Sequence, residues 1–134
     1  DKGARARTAA AAAALSRPDR TIGLIYAEKR RDPQTGALMG FGIADDSPAA
    51  LGSDPLVVIV DDICDGGGTF LGVATALTER YGPIPLHLWT THGIHSKGLA
   101  ALTRTYATLG CTDSFTSGHD HPALHRVPLQ ESCA

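Results

Sequence analysis

VVIVDDICDGGGTF, running from Val57 to Phe70, is the stretch that decides how this chain is read. Leu56 to Val60 is continuous and rich in β-branched residues, as expected of a strand in the middle of a parallel sheet. Gly66 to Gly68 then make a loop, and Thr69 to Tyr81 read as a helix. A strand that leaves through glycines into a helix is a shape that receives anions. Glycines allow positive φ and let backbone N–H groups come close to a ligand. The helix start adds unpaired N–H groups and a positive dipole end. The Thr69 hydroxyl offers one more donor. The carboxylates of Asp61 and Asp62 repel phosphate, so they suit a neutral part of a ligand, such as the adjacent hydroxyls of a ribose, or a metal bound through water. A plain glycine-rich turn is the alternative, but the order of apolar strand, two acids, a third acid at Asp65, three glycines and Thr is far more specific. The stretch is neither GxxxxGK[ST] nor GxGxxG.

On either side of this stretch the chain alternates. Ala4 to Leu15 is an alanine-rich helix ended by Pro18. Thr21 to Ala27 reads as a buried strand, and Glu28 to Gly36, with Pro33 and Gly36, as a mobile loop. Ala37 to Ile43 returns as a strand, and Ala44 to Pro55 is an acidic turn region. Leu86 to Thr91 is a strand, Ser96 to Tyr106 a helix and Cys111 to Phe115 a strand. The polar tail from Thr116 has a weak strand near Leu124 to Leu129. The class is α/β, a mainly parallel sheet flanked by helices, in one domain over residues 1–134. Ligands of such sheets bind beyond the carboxyl ends of the strands. The chemistry is therefore expected at Glu28 to Arg31, Asp61 to Thr69 and Thr91 to Ser96.

Composition sets bounds. A length of 134 residues suits one domain with a modest core. A net charge of −2 gives no electrostatic reason to expect nucleic acid as a partner. The cysteines, Cys64, Cys111 and Cys133, are odd in number and form no CxxC pair, which argues against a disulfide framework or structural zinc and for a reducing, cytoplasmic setting. The longest strongly apolar run, Leu56 to Val60, is far too short to span a membrane, and the charged N-terminus does not read as a signal peptide. The chain opens at Asp1 without Met, which reads as a piece of a longer protein, incomplete at its N-terminal end.

The Val57 to Phe70 segment resembles the ribose-5-phosphate loop of type I phosphoribosyltransferase folds, and within them ribose-phosphate diphosphokinases most closely. DKGARAR, Asp1 to Arg7, is similar to a segment of that family that opens on Pro-Asp and ends in Arg, here starting at the Asp. EKRR, Glu28 to Arg31, is similar to the start of its flexible loop. WTTHGIHSKG, Trp89 to Gly98, looks like its strand ending in Thr-His-Gly. The resemblance reaches about Phe115, and residues 116–134 match weakly.

The resemblance implies Mg²⁺-dependent transfer of diphosphate from ATP to ribose 5-phosphate. Asp61, Asp62, Asp65, Gly66, Gly67, Gly68 and Thr69 would bind the sugar phosphate. Lys29 would be the catalytic lysine, Arg31 its partner on the nucleotide phosphates, and Asp1 a magnesium ligand. It also implies a homo-oligomer, with adenine contacts partly from outside this chain. A nucleobase phosphoribosyltransferase and a non-catalytic phosphoribosyl-binding module stay as alternatives. Cations over transferring phosphates are what such chemistry needs, although three adjacent basic residues alone more often mark a solvated face.

The remaining candidates read more plainly. His92 and His95 are a loop pair near the site, with a metal pair conceivable. His119, Asp120 and His121 belong to an exposed tail, and His87 is a structural strand residue. Cys64 lacks a nearby base in sequence, so its small size and not nucleophilicity explains it.

Overall fold

The computed structural model describes residues 2–19, 22–115 and 118–129. They fall into two compact units, one of residues up to Pro55 together with Gly72–Ile84, the other of Leu56–Leu71 with residues from Pro85 onward.

The first unit opens with helix α1, Lys2–Leu15. Its half-buried positions Arg7, Thr8, Ala11 and Ala12 recur three and four apart, which is one helix face. Strand β1, Ala27–Arg31, and strand β2, Leu38–Ile43, pair antiparallel as a hairpin. Here the structure corrects the sequence reading twice. The strand expected over Thr21 to Ala27 begins only at Ala27: residues 22–26 form no ladder, and Tyr26 instead bonds through its N–H to Ser47 Oγ and through its carbonyl to the Ala44 N–H. Of the loop expected over Glu28 to Gly36, Glu28 to Arg31 are strand and Asp32 to Gly36 make the connection to β2. Asp32 Oδ1 accepts from the N–H groups of Gln34 and Thr35 at 2.8 and 2.7 Å, and Gly36 sits at φ 71°, so the connection is a built turn. Four of the five β1 residues are exposed, and that polar surface hid the strand from a reading based on apolar runs.

The acidic turn has a structural use. Arg5 donates to Asp46 at 2.7 Å and to Glu28 at 2.9 Å while its guanidinium lies 4.1 Å above the ring of Tyr26. Helix α2 spans Gly68–Tyr81, and Tyr81 donates to the carbonyl of Pro48 at 2.8 Å. The Phe41 ring occupies the space that a side chain at Gly72 would need, so β2 and α2 meet at close range.

The second unit is a four-stranded parallel sheet in the order β3, Val57–Cys64; β4, Leu86–Gly93; β5, Thr108–Thr112; β6, Leu124–Val127. The expected α/β class with a parallel sheet is therefore observed. β3 and β4 run four and two residues further than their apolar cores suggest, because each stays in register with the other to Cys64↔Gly93. β5 starts earlier than expected, at Thr108, where the chain leaves Tyr106 in an extended conformation and joins β4 at His87↔Thr108. It ends at Thr112, whose hydroxyl donates to the carbonyl of Thr91 at 2.6 Å.

Helix α3, Ala100–Thr105, is shorter than the Ser96 to Tyr106 expected. His95 at φ 53° and Gly98 at φ 74° are left-handed, and a right-handed helix cannot run through them. The core of this unit gathers Phe70, Leu86, Leu88, Leu102, Tyr106 and Leu109, all buried. Tyr106 donates to the carbonyl of Phe70 at 2.8 Å and so ties the end of α3 to the start of α2. The indole of Trp89 crosses β5 at Gly110, in the space a Cβ would take.

Gly110→Ala should therefore lower stability by about 1–3 kcal/mol, the usual cost of overpacking. Gly52→Ala, which meets nothing within 4 Å, should be close to neutral. Urea unfolding midpoints of the two variants check this, and equal midpoints would refute the packing account.

Candidate functional site

The strand–glycine–helix stretch builds a concave site of about 200 Å³ lined by Asp61, Ile63, Asp65, Gly66, Gly67, Gly68, Thr69 and Phe70. Its position follows from the sheet. β3 ends at Cys64, and the chain turns over its carboxyl end through Gly67 at φ 78°, a left-handed conformation that favours glycine. Leu102 lies against Gly67, 3.2 Å from where a Cβ would stand, so the turn needs glycine for room as well. Leu71 N–H then closes the first helical bond on the Gly67 carbonyl at 3.1 Å.

The donors matter most. Among the described residues, the N–H groups of Gly66, Gly67, Gly68 and Thr69 form no hydrogen bond within the chain. Four open donors at one concave loop, at the positive end of a 14-residue helix, are a ready receptor for an anion.

The three carboxylates of the stretch do not act alike. β3 carries strand alternation through Asp61 and Asp62, so their side chains leave opposite faces. Asp61 and Asp65 line the site together with Ile63. Asp62 is exposed and is not among the lining residues, and its Oδ1 accepts from the Ile63 N–H at 2.9 Å. Asp61 Oδ1 likewise accepts from the Asp62 N–H at 2.9 Å, which fixes the carboxylate over the site.

Lys29 and Arg31 lie in the first unit, on β1 opposite Phe41 and Leu38. A bulge between Arg30 and Arg31 interrupts the alternation that would put Lys29 and Arg31 on one side. Arg31 donates to the Gly36 carbonyl at 3.1 Å. Asp1 lies outside the described residues, as does Cys133.

Cys64 is fully buried, and burial first, with Asp65, Cys111 and Asp61 adding, pushes its thiol up to about 11. It stays protonated near neutrality and is no nucleophile. Its carbonyl is the active part: it accepts from the N–H groups of Ile94 and His95 at 2.9 and 3.1 Å. The turn after β4 is thereby fastened to the last residue of β3, where the glycine loop begins. The sequence reading placed His92 and His95 near the site as a pair, but they serve separately. His92 shares a 2.7 Å hydrogen bond with Ser114 Oγ. The His95 ring is 2% exposed and packs where Gly93 has no side chain. His87 is a satisfied strand residue, 2.7 Å from Thr108 Oγ1. In the tail, His121 caps the Ala123 N–H, and Arg126 on β6 holds the carbonyls of Phe115 and His119. No three His, Cys, Asp or Glu side chains among the described residues converge on a metal position.

No protein-family model matches this chain, and no curated protein matches it. Among solved structures it is similar to the phosphoribosylpyrophosphate synthetase of Mycobacterium smegmatis, with a TM-score of 0.67 and 19% identity over 96% of this chain. The two share a fold. The chain spans 38% of that structure's length. No helix among the described residues is long and apolar enough to cross a membrane.

Burial first, then Arg126 and His119, holds the His95 imidazole below its ordinary value of 6.5, and among the described residues its Nδ1 has no hydrogen-bond partner. The folded chain thus resists a proton that the unfolded chain accepts. Stability should be full above pH 6.5 and fall as pH drops below it toward the lowered folded value. His95→Asn, which tolerates the left-handed backbone, should flatten this loss. Unfolding midpoints between pH 7.5 and about 5 measure it, and parallel curves for the two proteins would count against it.

Proposed function

We propose that the loop from Asp61 to Thr69 binds ribose 5-phosphate and that the chain serves Mg²⁺-dependent transfer of diphosphate from ATP to that sugar. The observation that carries this reading is the row of open N–H donors from Gly66 to Thr69 beside the carboxylate of Asp61. The donors suit the 5-phosphate, with the Thr69 hydroxyl beside them. Asp61 and Asp65 are acceptors suited to the ribose hydroxyls. A site with both kinds of group fits a phosphorylated sugar better than phosphate alone. The shared fold with a phosphoribosylpyrophosphate synthetase supports the same chemistry.

In the proposed reaction the anomeric hydroxyl oxygen attacks the β-phosphorus of ATP. The bond from that phosphorus to the bridging oxygen of the α-phosphate breaks, AMP leaves and the hydroxyl proton is lost. The product is 5-phosphoribosyl 1-diphosphate. The chain's part is to hold the sugar with its 5-phosphate fixed, so that the anomeric hydroxyl keeps one orientation. Lys29 is proposed as the catalytic lysine and Arg31 as its partner on the nucleotide phosphates, since charge spreads over several oxygens in the transition state.

Magnesium needs no protein cage of three side chains. It is commonly held by one or two carboxylates together with substrate phosphates. Asp61 and Asp65, hard oxygen donors on the rim of the site, fit that mode, and Asp1 is proposed as a further ligand. When bound, the ion supplies neutralisation of the phosphate charge. A homo-oligomer, adenine contacts from outside this chain and a cytoplasmic setting are part of the same proposal.

The deciding assay supplies ATP, Mg²⁺ and ribose 5-phosphate and measures AMP. Asp61→Ala should weaken ribose 5-phosphate binding by about 10- to 100-fold, the worth of hydrogen bonds to a charged group. Lys29→Ala should lower turnover by about 100-fold or more with sugar affinity nearly unchanged. Base-dependent release of diphosphate from 5-phosphoribosyl 1-diphosphate, with no AMP from ATP, would replace this reading with a nucleobase transferase. Sugar-phosphate binding without any turnover would leave a binding module.

A further inference from the structure

The phosphate loop has an unbalanced charge. Among the described residues, its lining holds Asp61 and Asp65 and no basic side chain. Until magnesium binds, a phosphate dianion seated on N–H groups would stand beside two charges of its own sign, which the partial charges of those donors offset only in part. One lysine lies against the loop. The Cδ and Cε atoms of Lys97 stand 3.4 Å, and its Cγ 3.7 Å, from where a Cβ of Gly66 would be. The stem therefore lies flat across the glycine, and the ammonium sits one bond past Cε, at the loop. Lys97 is exposed, and among the described residues it pairs with no carboxylate.

Its backbone is not free to swing away. The turn that carries it is held by the two N–H bonds onto the Cys64 carbonyl and by the Gly98 N–H on the His95 carbonyl at 2.7 Å. His95, two residues before it, is buried in the core. A long flexible cation is thus anchored at its root to the last residue of β3, where the glycine loop begins, while its head stays in solvent. That is the arrangement of a counter-charge waiting for an anion.

We propose that Lys97 is the cation of the phosphate loop and sets its preference for phosphorylated over free sugars. The inference rests on the reading of Gly66 to Thr69 as a phosphate site. The ammonium donates to the non-bridging phosphate oxygens on the solvent side, where the backbone donors do not reach. It also balances Asp61 and Asp65, so that sugar hydroxyls and phosphate can be held at once.

Calorimetric titration of the full chain with ribose 5-phosphate and with ribose tests this. Lys97→Met keeps the apolar stem over Gly66 and removes the charge. It should weaken ribose 5-phosphate binding by about tenfold, as one charge-assisted contact would, and leave ribose binding unchanged. Lys97→Arg should return affinity to within about threefold, and the dependence of affinity on salt should be shallower in Lys97→Met than in the parent. A parent that binds ribose 5-phosphate well and a Lys97→Met variant that binds it equally would overturn the inference and spare the site. A parent that binds ribose 5-phosphate no better than ribose would overturn both.

Discussion

The carbonyl of Cys64 is the point on which the second unit depends. It closes β3, opens the glycine loop and accepts two N–H groups from the turn after β4. Parallel register brings this about, since pairing from Val57↔Leu86 to Cys64↔Gly93 ends the two strands together. Two loops leaving the same sheet edge side by side can share one acceptor. The glycine loop is then held without any side chain of its own having to do it, and its N–H groups stay open. Had the β3 and β4 ends been staggered, the carbonyl would face water and the turn carrying Lys97 would lie elsewhere.

Room is the second constraint. Gly67 yields to Leu102, Gly93 to His95 and Cys111, and Gly110 to Trp89. Each is a place where a large side chain needs the space a Cβ would fill, close to the carboxyl ends of the strands. Protein interiors pack as densely as organic crystals, so such contacts transmit position. The Tyr106 hydroxyl on the Phe70 carbonyl extends the chain of contacts from α3 to the first turn of α2. The loop is thus clamped between a buried hydrogen bond on one side and a packed leucine on the other. A rigid cradle spends less of its binding free energy on ordering itself.

The carboxylates illustrate how secondary structure assigns roles to like residues. Asp61 and Asp62 are neighbours in sequence and read as a pair. Strand geometry separates them, because successive side chains leave opposite faces. Asp61 and Asp65 meet at the site although three residues lie between them. The same rule accounts for Ile63 in the lining, an apolar residue that a search for polar chemistry passes over.

Periodicity and composition determined the α/β class, the glycine loop and the helix after it, since buried strands and helix starts carry local signals. Their apolar runs and glycines are read from neighbours in sequence. Strand β1 was not legible in that way: four of its five residues are exposed, and its turn into β2, a strand that the sequence did show, rests on Asp32 and Gly36. The end of β3 was not legible either, because it is set by the register with β4 and not by its own residues. Nor could sequence alone separate Asp61 from Asp62, or single out Lys97, thirty-one residues after Gly66, within the Trp89 to Gly98 stretch. Only the tertiary structure lays the lysine stem across that glycine, since contact between distant residues depends on strand pairing that no local pattern encodes.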